Sequence, residues 1–259
     1  MIIATYLPIY RLHELEIFER NVQIARADSI VLCIDYYFIE KQNHVLKLYN
    51  FSQELEIIKG NWRNRSSCLL RLVKYIMESN EDGLIVDSDV ILPNNWPEID
   101  SRLNLPFYHI AHDIWKHQRV IKHEKYNDID VYYWKIKNYF TRTMHVFAGP
   151  KLAIRYKNLK LSTEIIEKLI KFFDEVDTYY TSIIADEIAL GIAYDKSDVK
   201  ETPFIVGAQH YAHNSYPKIK QDKRLFKCIY SKALIKLYTQ FNYYIPAMRY
   251  LISSGLNCI

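Results

Sequence analysis

Glycine and cysteine are the scarce residues of this chain, six and four among 259, against 22 tyrosines. So little glycine describes a rigid backbone with few positions free to take unusual dihedrals. Cys33, Cys68, Cys228 and Cys258 are scattered, and no two stand at metal-ligand spacing. They predict reduced thiols in an intracellular protein, without zinc or a disulfide framework. Also missing are an apolar run of the roughly 18–20 residues that span a bilayer and a basic leader followed by an apolar segment. The expected location is therefore cytoplasmic. A net charge of +4 is too mild for a nucleic-acid footprint, but it leaves room for an anionic ligand or an acidic membrane surface. What is abundant is ordinary for a globular protein: 49% hydrophobic and 25% charged residues, enough for a sizeable core.

Along the chain, strand and helix patterns alternate. "MIIATYL" is a short β-prone run ending before Pro8. Leu12, Leu15, Phe18, Val22 and Ala25 recur at spacings of three and four, which predicts an amphipathic helix. "SIVLCID" reads as a strand buried on both faces, and "HVLKLYNF" (44–51) as a third strand. "RSSCLLRLVKYIMES" is helical by period, and "GLIVDSDVIL" (83–92) reads as a further buried strand. After an irregular stretch rich in His, Tyr and Trp come a strand and turn at "MHVFAGPKLAI", a helix at "STEIIEKLIKFFDEV" capped by Ser162 or Thr163, and a second helical segment at "YYTSIIADEIALGIAY". "TPFIVGAQHYAHNSYPK" reads as a strand running into a loop. This is an α/β pattern with a mostly parallel central sheet flanked by helices. The expected organisation is one domain over 1–221, in two halves (1–95 and 96–221), followed by a helical tail (222–259).

The informative feature is Asp87-Ser88-Asp89 inside the apolar run 83–92. In open α/β sheets ligands sit at the carboxyl ends of strands, and two carboxylates there suit a hard divalent cation that shares its shell with phosphate oxygens. A polar turn between two strands is the alternative, although flanks as apolar as "GLIV" and "VIL" are unusual for a surface turn. An apolar strand leading into Asp-x-Asp resembles the metal-binding motif of glycosyltransferases with the GT-A fold. The resemblance covers residues 1 to about 220. It implies a metal-dependent transferase that takes a sugar from a nucleotide-diphosphate donor to a hydroxyl acceptor (glycan, protein or lipid-linked), with Mn²⁺ or Mg²⁺ held by Asp89 and Asp87. It also implies a nucleotide-binding half (1–95) and an acceptor half (96–221), with Ser88 as a contact to the donor and Asp87 reaching either the ribose or the metal.

Further residues match the same pattern. Thr5 and Tyr6 after the first strand, and Asp35 ending the second, fall where the family holds base and ribose. "GNWRNRSS" (60–67) resembles its Arg/Asn-bearing segment beside the donor, so Arg63, Asn64 and Arg65 are candidates for the diphosphate or sugar, with Arg71 as competitor; guanidinium groups make forked hydrogen bonds to such oxygens. "HYAHNSYPK" (210–218) resembles the late segment in which a His completes the metal site, with His210 or His213 in that place and Lys218 toward the phosphates. The glycines that the family carries in this loop are missing here. Asp186 and Glu187 open a helix where inverting members place the base that deprotonates the acceptor. Acidic residues at a helix start also serve the dipole and free amides. "VFAGP" (146–150) resembles the segment lining donor sugar and acceptor. In "FYHIAHDIWKHQ", Tyr108 and Trp115 are expected to form an acceptor wall, because the histidine spacing fits no metalloprotease or zinc-finger pattern.

The tail carries Lys220, Lys223, Arg224, Lys227, Lys232 and Lys236 with an apolar stripe of Phe226, Tyr230, Ala233, Leu237 and Phe241. Such a helix over 222–244 suits peripheral contact with an anionic membrane or packing on the core. Two other functions compete with sugar transfer. A haloacid-dehalogenase-like phosphatase would use Asp87 as nucleophile and Asp89 as acid, but Ile91 stands where that family's Thr or Val belongs and two strands precede the motif. A non-enzymatic basic membrane or nucleic-acid module predicts function that survives loss of both aspartates. No nucleic-acid partner is expected.

Overall fold

Apolar β-branched runs and amphipathic helices alternate in the computed structural model, which describes residues 1–7, 14–35, 51–60, 65–111, 119–120, 147–148, 151–157, 160–175, 185–199, 203–204 and 206–210. The first part of the chain contains β1 (Ile2–Leu7), α1 (Leu15–Ala25), β2 (Ser29–Asp35), β3 (Glu54–Gly60), α2 (Arg65–Ser79), β4 (Gly83–Val86) and β5 (Val90–Ile91). Then follow α3 (Trp96–Leu103), β6 (Phe107–Ala111), β7 (Arg119–Val120), β8 (Phe147–Ala148), β9 (Lys151–Tyr156), α4 (Thr163–Glu175), α5 (Ala185–Lys196), β10 (Pro203–Phe204) and β11 (Gln209–His210). The basic tail expected as a helix lies outside the described residues. Among those described, no helix is long and apolar enough to cross a membrane.

Seven strands form one sheet in the order β10-β6-β9-β4-β1-β2-β3, and two short pairs, β5 with β11 and β7 with β8, stand apart from it. Only β9 runs against the other six: β1 is parallel to β2 and β4, β2 to β3, and β6 to β10, while β9 is antiparallel to β4 and β6. The expected mostly parallel sheet flanked by helices is what forms. One face (Ile2, Ala4, Val31, Cys33, Ile85) packs on α2, α4 and α5; the other (Ile3, Leu7, Ile30, Leu32, Leu84) packs on α1 and Trp96. Burial on both faces explains why these strands read as unbroken apolar runs. The stripe predicted for the first helix is the buried face of α1: Leu15, Phe18, Val22 and Ala25 are all in the core. Ser162 is the cap of α4, its Oγ accepting from the Ile165 N–H.

Three expectations change. The described strand that follows β2 is β3 at Glu54–Gly60, which the apolar runs of the sequence do not suggest; of the stretch expected as the third strand, Phe51 is outside any strand, and 44–50 lie outside the described residues. β3 is an edge strand whose Glu54 and Glu56 are exposed, so its alternating pattern is that of a half-wet strand, and its charges discourage edge pairing. The run 83–92 is not one strand. β4 stops at Val86, and the Val90 N–H donates to the Asp87 carbonyl at 3.1 Å, closing a β-turn with Ser88 and Asp89 at its centre. Tyr108 is no acceptor wall: it is fully buried, and its hydroxyl donates to Asp100 Oδ1 at 2.7 Å. Trp115 lies outside the described residues.

The amino-terminal edge of β4 is closed by a buried ionic cluster that periodicity does not reveal. Arg155 on β9 donates to both Asp100 oxygens, to Asp82 Oδ2 and to the carbonyls of Gly83 and Tyr156. Its guanidinium also lies 5.9 Å from the centre of the Trp96 ring. Burial alone would raise the Asp100 pKa. The hydrogen bonds from Tyr108 and Arg155, with the Arg155 and Lys157 charges, outweigh it and hold the carboxyl below its usual value. A depressed folded pKa contributes stability above the unfolded value of about 3.9 and loses it as pH falls through the folded value. In acid unfolding followed by circular dichroism, the wild type should therefore lose stability below about pH 4 more steeply than Asp100→Asn, which lacks this titrating group.

Gly83 shows how closely α2 lies on β4. A Cβ there would fall 2.3 Å from Ile76 Cγ2. Gly83→Ala should cost about 1–3 kcal/mol in urea denaturation. Adding Ile76→Ala should return part of that loss, because the clash is with this one side chain.

Candidate functional site

Because β1, β2, β3 and β4 are mutually parallel, their carboxyl ends share one edge. The chain runs from β1 outward to β2 and β3 and then returns to place β4 on the other side of β1. That reversal makes the gap between β1 and β4 a topological switch point, where the chain diverges and leaves a crevice. The Asp87-Ser88-Asp89 turn sits on the β4 side of it, and Thr5 and Tyr6 on the β1 side.

The turn is unlike a surface loop. Ser88 and Asp89 are 2% and 5% exposed, while Asp87 is half-buried. The Ser88 hydroxyl donates to the carboxylate of Glu14, itself fully buried ahead of α1. This changes the reading of Ser88 from a ligand contact to an internal strut. On the next residues, Asn21 Nδ2 donates to the Val90 carbonyl at 2.6 Å, and its Oδ1 accepts from the Leu92 N–H at 2.9 Å. Alternate backbone groups of a strand point to opposite edges, so Asn21 occupies one edge of β5 and β11 the other.

That second edge brings in the late histidine. β11 pairs antiparallel with β5, with His210 opposite Val90 and Gln209 opposite Ile91. The His210 backbone therefore stands one register step from Asp89, across 121 residues of sequence. His213 and Lys218 lie outside the described residues, as do Arg63 and Asn64. Arg65 is the first residue of α2, on the same side of the sheet as the end of β3. Asp35 ends β2 in register with Gly60. Thr5 is completely buried on the α1 face, whereas Tyr6 is half-buried. Asp186 and Glu187 are the second and third residues of α5, which packs against α2 and β8; the helix start expected for them is where they lie.

Arg71 is drawn away from the edge. Its guanidinium pairs with Asp174 of α4 at 2.5 Å. It lines a groove of about 640 Å³ between α2 and α4 in which Lys74 bridges to Glu167. The groove's cations face its own acids, so Arg71 loses its standing beside Arg63 and Arg65. Beneath the edge, Gly60 is required by packing: a Cβ there would fall 2.6 Å from Cys68 Sγ and 2.8 Å from Cys33 Sγ. Both thiols are free and buried, and burial, with the Cys68 hydrogen bond, pushes the Cys33 thiol up. These cysteines are packing residues, not nucleophiles.

The donor set suits a hard divalent ion. Two carboxylates flank one buried turn, and an imidazole-bearing residue is in register beside it. Among the described residues no group of three or more His, Cys, Asp or Glu side chains is gathered to hold a metal by itself. A cation here would complete its shell with phosphate oxygens and water, as Mg²⁺ commonly does. Glu14 and Asn21 escaped the sequence reading. The signal was present: they stand seven apart, in phase with Phe18 and Ala25, so two polar residues interrupt an otherwise apolar helix face.

No protein-family model matches the chain, and no curated protein matches it. Among solved structures, the inositol-1-phosphate CTP transferase from T. maritima is similar at TM-score 0.46 and 10% identity, covering 88% of this chain and 94% of that one. The 4-diphosphocytidyl-2C-methyl-D-erythritol synthase from Anaerococcus prevotii DSM 20548 is similar at 0.44 and 10%, covering 79% and 89%. A galactosyltransferase, LgtC, in complex with donor and acceptor sugar analogs is similar at 0.43 and 11%, covering 100% and 97%. All three scores are below 0.5, and the functional reading rests on this chain's own residues.

Proposed function

We propose that this protein is a metal-dependent glycosyltransferase that moves a sugar from a nucleotide-diphosphate donor to a hydroxyl acceptor. One observation carries the reading: a buried Asp-Ser-Asp turn stands at the switch point of a mostly parallel sheet, with His210 in register beside it. Asp89 and Asp87, with His210 or His213, would hold Mn²⁺ or Mg²⁺, which when bound supplies charge neutralisation to the diphosphate. In this reading Tyr6 and Asp35 meet the base and ribose at the ends of β1 and β2. Arg63, Asn64, Arg65 and Lys218 bind the phosphates through charge-assisted hydrogen bonds. If the anomeric centre is inverted, Asp186 accepts the proton of the acceptor hydroxyl; Glu187, pointing elsewhere on the helix, is the alternative. The site of action is the cytoplasm, with residues 222–244 resting on anionic membrane. Co-sedimentation with anionic liposomes should fall when the chain is cut before Asp222, and equal binding by both forms would remove the membrane contact.

The class is tested by a thermal-shift screen of nucleoside diphosphates, nucleotide sugars and nucleoside triphosphates, with and without Mn²⁺. The expected result is Mn²⁺-dependent stabilisation by the diphosphates and sugars of one base, a ligand at 100 times its Kd adding about 2.7 kcal/mol. Stabilisation by a triphosphate alone would point to nucleotidyl transfer. No response to any donor would leave the binding-module reading.

A further inference from the structure

We infer that Glu14 and Asn21 are positioning residues that hold the Asp87-Ser88-Asp89 turn in its ligand-binding geometry before any ligand arrives. The inference rests on the transferase reading and extends it from the residues that meet the donor to those that fix them. Asp89 lies between two restrained neighbours. Ser88 is tied to Glu14, and the Val90 carbonyl and Leu92 N–H are tied to the two ends of one Asn21 amide. Glu14, Asn21, Ser88 and Leu92 are all buried, so none of these bonds is exchanged readily with water.

Anchoring the helix does not require such bonds, because Leu15, Phe18, Val22 and Ala25 already fix α1 on the sheet. Placing a carboxylate and an amide on the same face costs desolvation that an apolar side chain would avoid. Glu14 accepts from Ser88 and Asn21 bonds Val90 and Leu92, so both side chains reach the short segment 88–92, Asn21 across 69 and 71 residues. β5 is only two residues long and lies outside the main sheet. Asn21 supplies, with one side chain, the hydrogen bonds that a neighbouring strand would have made. Since β11 takes the other edge of β5, the same amide also sets where His210 stands relative to Asp89. A rigid first set of groups held by a second is how sites keep sub-ångström geometry.

The test compares Asn21→Ala, Glu14→Ala, Glu14→Gln and Ser88→Ala in the full chain. Mn²⁺ affinity is measured by electron paramagnetic resonance, alone and with UDP, GDP or CDP, and Tm is recorded beside it. Glu14→Gln keeps an acceptor for Ser88 and should bind Mn²⁺ within about twofold of wild type. The other three should weaken it about 10-fold or more, as loss of outer-shell partners does, with kcat falling more than KM rises. Ser88→Ala removes only one hydroxyl and serves if Asn21→Ala does not fold. Unchanged Mn²⁺ affinity in the folded variants, even at lowered Tm, overturns the inference and leaves the transferase reading standing. A wild type that takes up no Mn²⁺ with any of the nucleotides overturns that reading and the inference together.

Discussion

Asp89→Ala is expected to abolish Mn²⁺-dependent hydrolysis and transfer of the nucleotide sugar, by about 100-fold or more, while the protein stays folded. A carboxylate that would hold the cation neutralising the departing diphosphate contributes to the transition state at that order of magnitude. Stability should move the other way. Asp89 is 5% exposed, and a buried carboxylate costs desolvation that alanine does not. Its Tm should hold or rise slightly, the usual trade between a strained site and the fold around it. Asp89→Asn keeps the shape but loses the charge and should be nearly as inactive. Activity that survives Asp89→Ala would sink the metal-dependent reading, and an unfolded variant would show that the turn is structural first.

The largest effect on stability is expected at Arg155, far from that edge. Arg155→Ala should cost about 3–5 kcal/mol, because removing one partner leaves Asp100 buried with a charge it cannot neutralise well. The side chains of Arg155 and Asp100 are 4% and 12% exposed, so water cannot replace the lost bonds. For a chain of this size the melting temperature should fall by roughly 10 °C. The defect should shrink as pH falls below about 4, where the carboxyl takes up a proton. It should also shrink in Arg155→Met/Asp100→Asn, which removes both charges and keeps an acceptor for Tyr108. Equal losses in the single and double variants would mean that packing against Trp96, not charge, is what Arg155 supplies.

The legible parts of this molecule were those governed by local pattern. Ser29–Asp35 and Arg65–Ser79 follow the apolar runs and helical periods of their own residues, because burial on one or both faces imposes a spacing that a short window reveals. β3 was overlooked since its exposed edge gives it a half-polar alternation that competes with a loop. Tyr108 was misassigned for a related reason. An aromatic with a polar tip fits an open wall and a core equally well until its partner, here Asp100, is known.

Within the site the division is the same. A pair of aspartates with apolar flanks on both sides marks residues 83–92 as a candidate site, because burying carboxylates is costly unless they are paired or bind something. The break of that run into β4, a turn and β5 is the alternative that the polar Asp-Ser-Asp offers, but the ties of the segment to Glu14 and Asn21, 69 to 74 residues earlier, were not visible in it. Nor was the meeting of His210 with Val90, which arises from a pairing 120 residues apart. The sequence by itself determined the element types, the core faces and the chemical character of the site. Only the tertiary structure decided which side chains hold the turn and which loop faces it. Hydrogen bonds between distant segments leave no period in a sequence, whereas burial does.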